Sequence, residues 1–230
     1  MAAGAPGATP VLDHLFPAAV RPGTTNILTA VGKFDPWPPQ VWTETAGLTF
    51  RPTTNSGVFE VEVAPDTPAG AYFVRAHHAE GSSAPRFLIV HDPPQTAEAE
   101  PNDAFARAQP VTSLPAHLNG RLEKTGDVDC YAVQLAAGQT LVARIESYVL
   151  MSPLDAALRV VDARGIQRAF NHDDGRTLDP RLVWTAPAAG SYVVQVFGFD
   201  YPAGSEVRFA GNARGVYRLH LATGPVVRHT

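Results

Sequence analysis

Proline and glycine punctuate this chain so densely that few stretches of about 11 residues are left in which an amphipathic helix could form. They number 21 and 19 in 230 residues, and many stand between short apolar runs rich in Val, Thr, Tyr and Phe. Short β-branched and aromatic runs bounded by turn residues read as strands, so an all-β fold is expected. Hydrophobic residues make up 45% of the chain, ordinary for a globular protein and too many for a disordered one. No apolar stretch approaches the ~20 residues of a spanning helix, so no membrane insertion is expected.

Charge and cysteine content remove further classes. With Lys+Arg at 18 and Asp+Glu at 22, the formal net charge is −4, and no Lys/Arg-rich run occurs. A broadly basic nucleic-acid surface is therefore excluded. Cys130 is the single cysteine, which leaves neither a disulfide framework nor a CxxC zinc site. HExxH, GxSxG, Walker A and GxGxxG patterns are absent, so the chain does not read as an enzyme. The opening MAAGAPGATP has neither the basic nor the apolar region of an intact signal peptide.

The segment HDPPQTAEAEP (91–101) divides the chain, because its prolines and polar residues cannot pair centrally in a sheet. The expected organisation is a disordered N-terminus (1–9), a first sandwich (10–91), a linker (92–97), a second sandwich (98–224) and a tail (225–230). In the first half strands are expected at Asn26–Val31, Gly57–Ala64, Ala69–Ala76 and Arg86–Val90. The second of these has a period of two, with Phe59, Val61 and Val63 on one face and Val58, Glu60 and Glu62 on the other. In the second half strands are expected at Ala116–Leu122, Cys130–Leu135, Thr140–Tyr148, Leu154–Val161, Arg181–Thr185, Gly190–Phe197 and Gly215–Ala222. A short helical turn is expected at Asp103–Ala108, capped by Asn102 or Asp103. The fold class is thus two β-sandwich domains in tandem, immunoglobulin-like and then jelly-roll-like. Gly-x-Tyr steps recur at Gly70, Gly190 and Gly215, each opening a strand with a tyrosine.

The densest chemical signal is acidic. Glu98, Glu100, Asn102 and Asp103 are followed by Asp127 and Asp129. Residues two apart share a face of an extended segment, so Glu98 points with Glu100 and Asp127 with Asp129. Side by side, the two segments would bring five carboxylates and an amide oxygen together, the hard-oxygen set that calcium takes. A solvated acidic loop with an Asx cap uses the same residue types.

Seven motifs in order make residues 98–222 similar to the bacterial pre-peptidase C-terminal (PPC) domain, related to the collagen-binding domains of clostridial collagenases. They are EAEPND (98–103), NGRL (119–122), GDVDCY (126–131), AGQTL (137–141), SPLDAALRVVDARG (152–165), NHDD (171–174) and APAAGSYVVQV (186–196). The resemblance implies calcium as cofactor, held by Glu98, Glu100, Asn102, Asp103, Asp127 and Asp129 with backbone help near Gly120. It also implies a secreted or cell-envelope accessory module that binds an extracellular protein or polysaccharide. The alternative is a C-terminal processing segment of a secreted peptidase, and a small hydrolase comes third. Cys130 departs from the family, which usually places an aromatic there, and reads as a small buried hydrophobe. In the first half, FPAAVRPGTT (16–25) and SSAPRFLIV (82–90) resemble the IPT/TIG-like immunoglobulin-like modules found ahead of such domains.

Three further groups have two readings each. Asp155, Asp173, Asp174 and Asp179 form a second acidic set, either ion ligands or turn-stabilising acceptors; no glutamate completes an EF-hand. Phe197, Phe199 and Tyr201 share one strand face as an aromatic platform or as core, while Trp42 either joins Trp37 in an exposed loop or plugs the first sandwich. His77 and His78, with Glu80 nearby, would face opposite sides of a strand and so cannot easily chelate one ion.

Overall fold

The computed structural model describes residues 8–203, 205 and 208–224. Residues 1–7 of the expected disordered N-terminus and the expected tail, 225–230, lie outside them. The chain forms two compact units that divide between Pro93 and Pro94.

The first unit contains β1 (Val11–Phe16), β2 (Ala19–Val20), β3 (Thr25–Lys33), β4 (Gln40–Thr43), β5 (Leu48–Pro52), β6 (Val58–Val63), β7 (Gly70–His78), β8 (Gly81–Ser82) and β9 (Arg86–Val90). One sheet has the order β1-β3-β6-β5 and the other β2-β9-β7-β4, with β8 paired to β7. The period of two in β6 sets its burial: Phe59, Val61 and Val63 lie inside, beside Leu12, Leu28, Val74 and Leu88. Each such side chain taken out of water contributes about 1.5–3 kcal/mol to the fold before entropy is counted. Trp37, expected in an exposed loop, packs against this core, 5.0 Å from the Phe59 ring, and its indole N–H donates to Thr53 O at 3.1 Å. Trp42 does not plug the sandwich; it sits on β4 opposite Arg75 and is 48% exposed.

The second unit contains β10 (Gln95–Ala97), β11 (Gln109–Pro110), β12 (Ala116–Arg121), β13 (Asp129–Leu135), β14 (Thr140–Glu146), β15 (Leu154–Asp162), β16 (Gln167–Asn171), β17 (Arg181–Thr185), β18 (Gly190–Asp200) and β19 (Val216–Thr223). Its sheets have the orders β10-β12-β19-β14-β17 and β11-β13-β18-β15-β16. From β12 to β15 successive strands alternate between the sheets, and β17 to β19 alternate again. Leu118, Tyr131, Leu141, Ile145, Leu158, Val194, Tyr217 and Leu219 fill the space between.

Two local expectations are corrected. Gln95–Ala97, expected within a linker, form β10 and pair in parallel with β12, with Ala97 opposite Asn119. The prolines that argued against central pairing allow an edge, and β10 is an edge strand. The expected helix at 103–108 is one 3-10 turn, Phe105–Arg107, whose N-cap is Ala104 with no side-chain cap bond. Asn102 and Asp103 are engaged elsewhere.

Candidate metal centre

The edge strand β10 delivers the first acidic segment to the end of β12. Glu98 continues the pairing by donating its N–H to Asn119 O at 2.9 Å, and its carboxylate accepts the Arg121 N–H at 2.7 Å. Pro101 has no N–H and stops the ladder, so the chain turns. There the Glu100 carboxylate accepts the Asn102 N–H at 2.8 Å. The second segment arrives through a tight turn in which the Asp127 N–H donates to Lys124 O at 3.1 Å. Gly126 takes the left-handed conformation there, with φ of 88°, which a side chain would oppose. Asp127 Oδ2 accepts the Glu123 N–H, and Asp129 opens β13.

The result is one acidic cluster. Glu98, Glu100 and Asp129 offer oxygens within 4.8 Å of one another, as do Glu100, Asp103 and Asp127, so Glu100 belongs to both triads. Asn102, tied to Glu100, and Asp127 and Asp129 are completely buried, at 0% exposure. The five carboxylates expected from the sequence therefore meet, and Asn102 is joined to them through its N–H on Glu100. Asn102 Oδ1, Asp103 Oδ1, Asp127 Oδ1 and Asp129 Oδ1 are buried without a hydrogen-bond partner.

Electrostatics follow from that crowding. Burial, aided by the Asp129 charge, pushes the Glu98 carboxyl up to about 9. Burial likewise raises Asp129 to about 8, against the hydrogen bond it receives from Tyr217, and Asp127 to about 6. The Tyr217 hydroxyl donates to Asp129 Oδ2 and lies 2.7 Å from the Tyr131 hydroxyl within the core. Lys124 lies 3.0 Å from Asp103 and 3.7 Å from Asp127, but its ammonium is largely exposed. One exposed ammonium is a weak counterweight to five carboxylates. An all-oxygen set in which burial opposes ionisation suits a hard cation with ~6–8 oxygen ligands.

The second acidic set divides between its two readings. Asp179 is buried and accepts the N–H groups of Ser147 at 2.7 Å, Tyr148 at 2.7 Å and Val149 at 3.1 Å, with the Ser147 hydroxyl at 3.1 Å. It holds the 3-10 turn Tyr148–Leu150, as a turn-stabilising acceptor does. Asp174 is exposed and outside any cluster of three metal-ligating groups among the described residues. Asp155 and Asp173 do converge, and the third member is His172, which the sequence reading passed over. Only its place in NHDD signalled it.

The aromatic platform also breaks up. Phe197 is 4% exposed, 4.8 Å from the Phe209 ring, with the Arg159 guanidinium 5.0 Å from its centre. Phe199 packs on Phe209 at 5.9 Å. Tyr201 alone of the three is substantially exposed, at 41%, and it meets Tyr148 edge-on at 5.5 Å. These two tyrosines line two open clefts of about 470 and 420 Å³, one with Asp173, Arg176 and Thr177, the other with Met151 and Pro153. The face shared by alternate residues of β18 is covered at Phe197, which is why strand periodicity overestimated the platform.

Cys130 is fully buried with Val161 and Val193, and Gln195 Nε2 donates to its sulfur at 3.3 Å. Burial raises its thiol pKa, as suits a small core residue. No helix among the described residues is long and apolar enough to cross a membrane.

No known protein family and no curated protein matches this chain. Among solved structures it is similar to PliG of Aeromonas hydrophila, a periplasmic inhibitor of g-type lysozyme, at 21% identity over 57% of this chain and 100% of that one, with a TM-score of 0.36. It is similar to the pre-peptidase C-terminal domain of collagenase from Bacillus anthracis at 12% identity, over 58% of this chain and 100% of that one, with a TM-score of 0.36. SGBP-B of the Bacteroides ovatus mixed-linkage glucan utilization locus aligns at 8% identity over 89% of this chain and 72% of that one, with a TM-score of 0.27. At these identities and TM-scores none of them assigns a residue role to this chain.

Proposed function

We propose that this chain is a non-catalytic binding module of a secreted bacterial protein, stabilised by calcium held at Glu98, Glu100, Asn102, Asp103, Asp127 and Asp129. The observation that carries this reading is the set of buried, unpartnered oxygens of Asn102, Asp127 and Asp129 inside a cluster of five carboxylates. An unsatisfied buried polar group costs about 1–3 kcal/mol, and more when charged. Bound calcium would satisfy several at once, and the two triads sharing Glu100 give room for an ion in each. The donors are all oxygen, which favours calcium over zinc. The absence of nucleophile and metalloprotease motifs supports a module without chemistry of its own.

The partner is an extracellular polysaccharide or protein. The surface for it is the Tyr148–Tyr201 pair with its two clefts, since exposed rings stack on sugar faces and anchor protein contacts.

The test of the calcium site is calorimetric titration of calcium into the chelator-treated chain. Saturable binding with a dissociation constant of ~0.1–1 mM is expected, as in extracellular modules, weakened at least about ten-fold by Asp129→Asn. Absence of saturable binding, or equal affinity in that variant, overturns the assignment. Retention on insoluble polysaccharides and matrix proteins, lost in Tyr148→Ala/Tyr201→Ala, tests the surface. Retention that survives both substitutions places it elsewhere.

A further inference from the structure

We propose that Asp155, His172 and Asp173 form a second and chemically different metal site, one for a zinc-class divalent cation. One ring nitrogen of His172 and one oxygen from each aspartate lie within 4.8 Å of one another. Asp155 stands on β15, while His172 and Asp173 follow directly on β16, its hydrogen-bonded neighbour. Asn171 fixes the turn: its Oδ1 accepts the N–H of His172 at 2.8 Å and of Asp173 at 3.3 Å, and its Nδ2 donates to Arg181 O at 2.7 Å. The Phe170 ring lies nearly parallel to the imidazole, 6.5 Å away with 15° between planes.

Two facts separate this group from a solvated surface cluster. Asp155 Oδ1 and Asp173 Oδ1 are each buried and without a hydrogen-bond partner, although the side chains are 22% and 41% exposed. The polar contacts of the imidazole are the two carboxylates, at 3.9 Å from Nε2 to Asp155 and 3.2 Å from Nδ1 to Asp173. Tetrahedral ligands at ~2.0–2.2 Å from an ion stand about 3.3–3.6 Å apart, so three donors now within 4.8 Å of one another must close in, and one carboxylate must leave the ring nitrogen it faces for the other. The imidazole nitrogen sets the metal class: calcium takes oxygen, whereas nitrogen with carboxylates suits zinc and its first-row neighbours. Three protein donors leave a fourth position for water or an oxygen of a bound partner. Asp173 also lines the larger cleft beside Tyr148 and Tyr201, so a ligand seated there would reach that position.

This inference does not rest on the calcium reading, and the experiment keeps the two apart. Zinc is titrated at pH 7.5 into the full chain held in saturating calcium, with calorimetry as readout. Cobalt substitution reports nitrogen and oxygen ligation through its visible spectrum. One equivalent of zinc is expected to bind with a dissociation constant below about 0.1 mM. His172→Ala and Asp155→Asn should each weaken it at least about ten-fold, and Asp174→Asn should leave it unchanged. Calcium affinity should be the same in all three variants. No saturable zinc binding, or equal zinc affinity in His172→Ala, would overturn the site and leave His172 as the bridge of a carboxylate–imidazolium–carboxylate ion triad.

Discussion

The Tyr217 hydroxyl donates to Asp129 Oδ2 from inside the second sandwich, so the acidic cluster stands directly on the hydrophobic core. Tyr217 reaches it because its β12 partner is Gly120. A Cβ built at Gly120 would lie 2.1 Å from Tyr217 Cζ and 2.2 Å from its hydroxyl oxygen. Gly120→Ala should therefore displace the ring and the carboxylate with it. The expected loss is about 2–3 kcal/mol in denaturant titrations in calcium, with weaker calcium binding in parallel. An unchanged midpoint would show that the ring has other room.

The raised carboxyl groups fix the sign of a pH effect. Glu98, Asp129 and Asp127 ionise at about 9, 8 and 6 in the folded state, against about 4 when unfolded. Between those limits the folded chain holds more protons than the unfolded one, so stability in chelator falls as pH rises from about 4 to 9. Glu146 has the opposite shift. Burial pushes it up, but the hydrogen bond from His220 and the Arg218 charge outweigh that and hold it at about 2. It is ionised in the folded state throughout this range, so its contribution, a rise of stability with pH, is confined to below about pH 5.5, where the unfolded carboxyl still takes up a proton. Melting temperatures from pH 5 to 9 should decline in chelator, and calcium should largely abolish the decline. A profile that rises with pH in chelator would contradict the burial of this cluster.

Asp179 offers a control on the same unit. Asp179→Ala leaves the N–H groups of Ser147, Tyr148 and Val149 without their acceptor. A loss of about 2 kcal/mol or more is expected in denaturant, with calcium affinity unchanged. Weaker calcium binding in this variant would mean that the two acidic groups are coupled.

What the sequence made legible follows the position of each strand in its sheet with one exception, the edge strand β17, which was legible at Arg181–Thr185. The interior strands β3, β6, β7, β9, β12, β13, β14, β15, β18 and β19 carry apolar faces, and their runs were readable to within a few residues. The strands that were missed, β1, β2, β4, β5, β10, β11 and β16, all lie at sheet edges, and β8 is a two-residue hairpin arm. Edge strands carry polar residues and proline, as in Gln40–Thr43, Leu48–Pro52 and Gln167–Asn171, and so lose the alternation that marks a strand.

The same division holds at the sites. The i and i+2 spacing of Glu98 with Glu100 and Asp127 with Asp129 was visible because both flank strand segments. His172 and the capping role of Asp179 depend on contacts made by turns and were not. The Gly-x-Tyr echo has a structural basis that spacing alone did not distinguish. The Tyr72 hydroxyl donates to Pro68 O at 2.9 Å and the Tyr192 hydroxyl to Ala188 O at 2.8 Å, each four residues back. Tyr217 instead turns to Asp129, which puts the third copy at the candidate metal centre.

The most direct measurement is a thermal melt of the whole chain in chelator and then in calcium. A site of ~0.1 mM in ~5 mM calcium adds about 2 kcal/mol, a rise of about 5 °C for a domain of this size. That rise is expected, together with its loss in Asp127→Ala/Asp129→Ala. An unmoved melting temperature, or an equal rise in the double variant, would contradict calcium at this cluster.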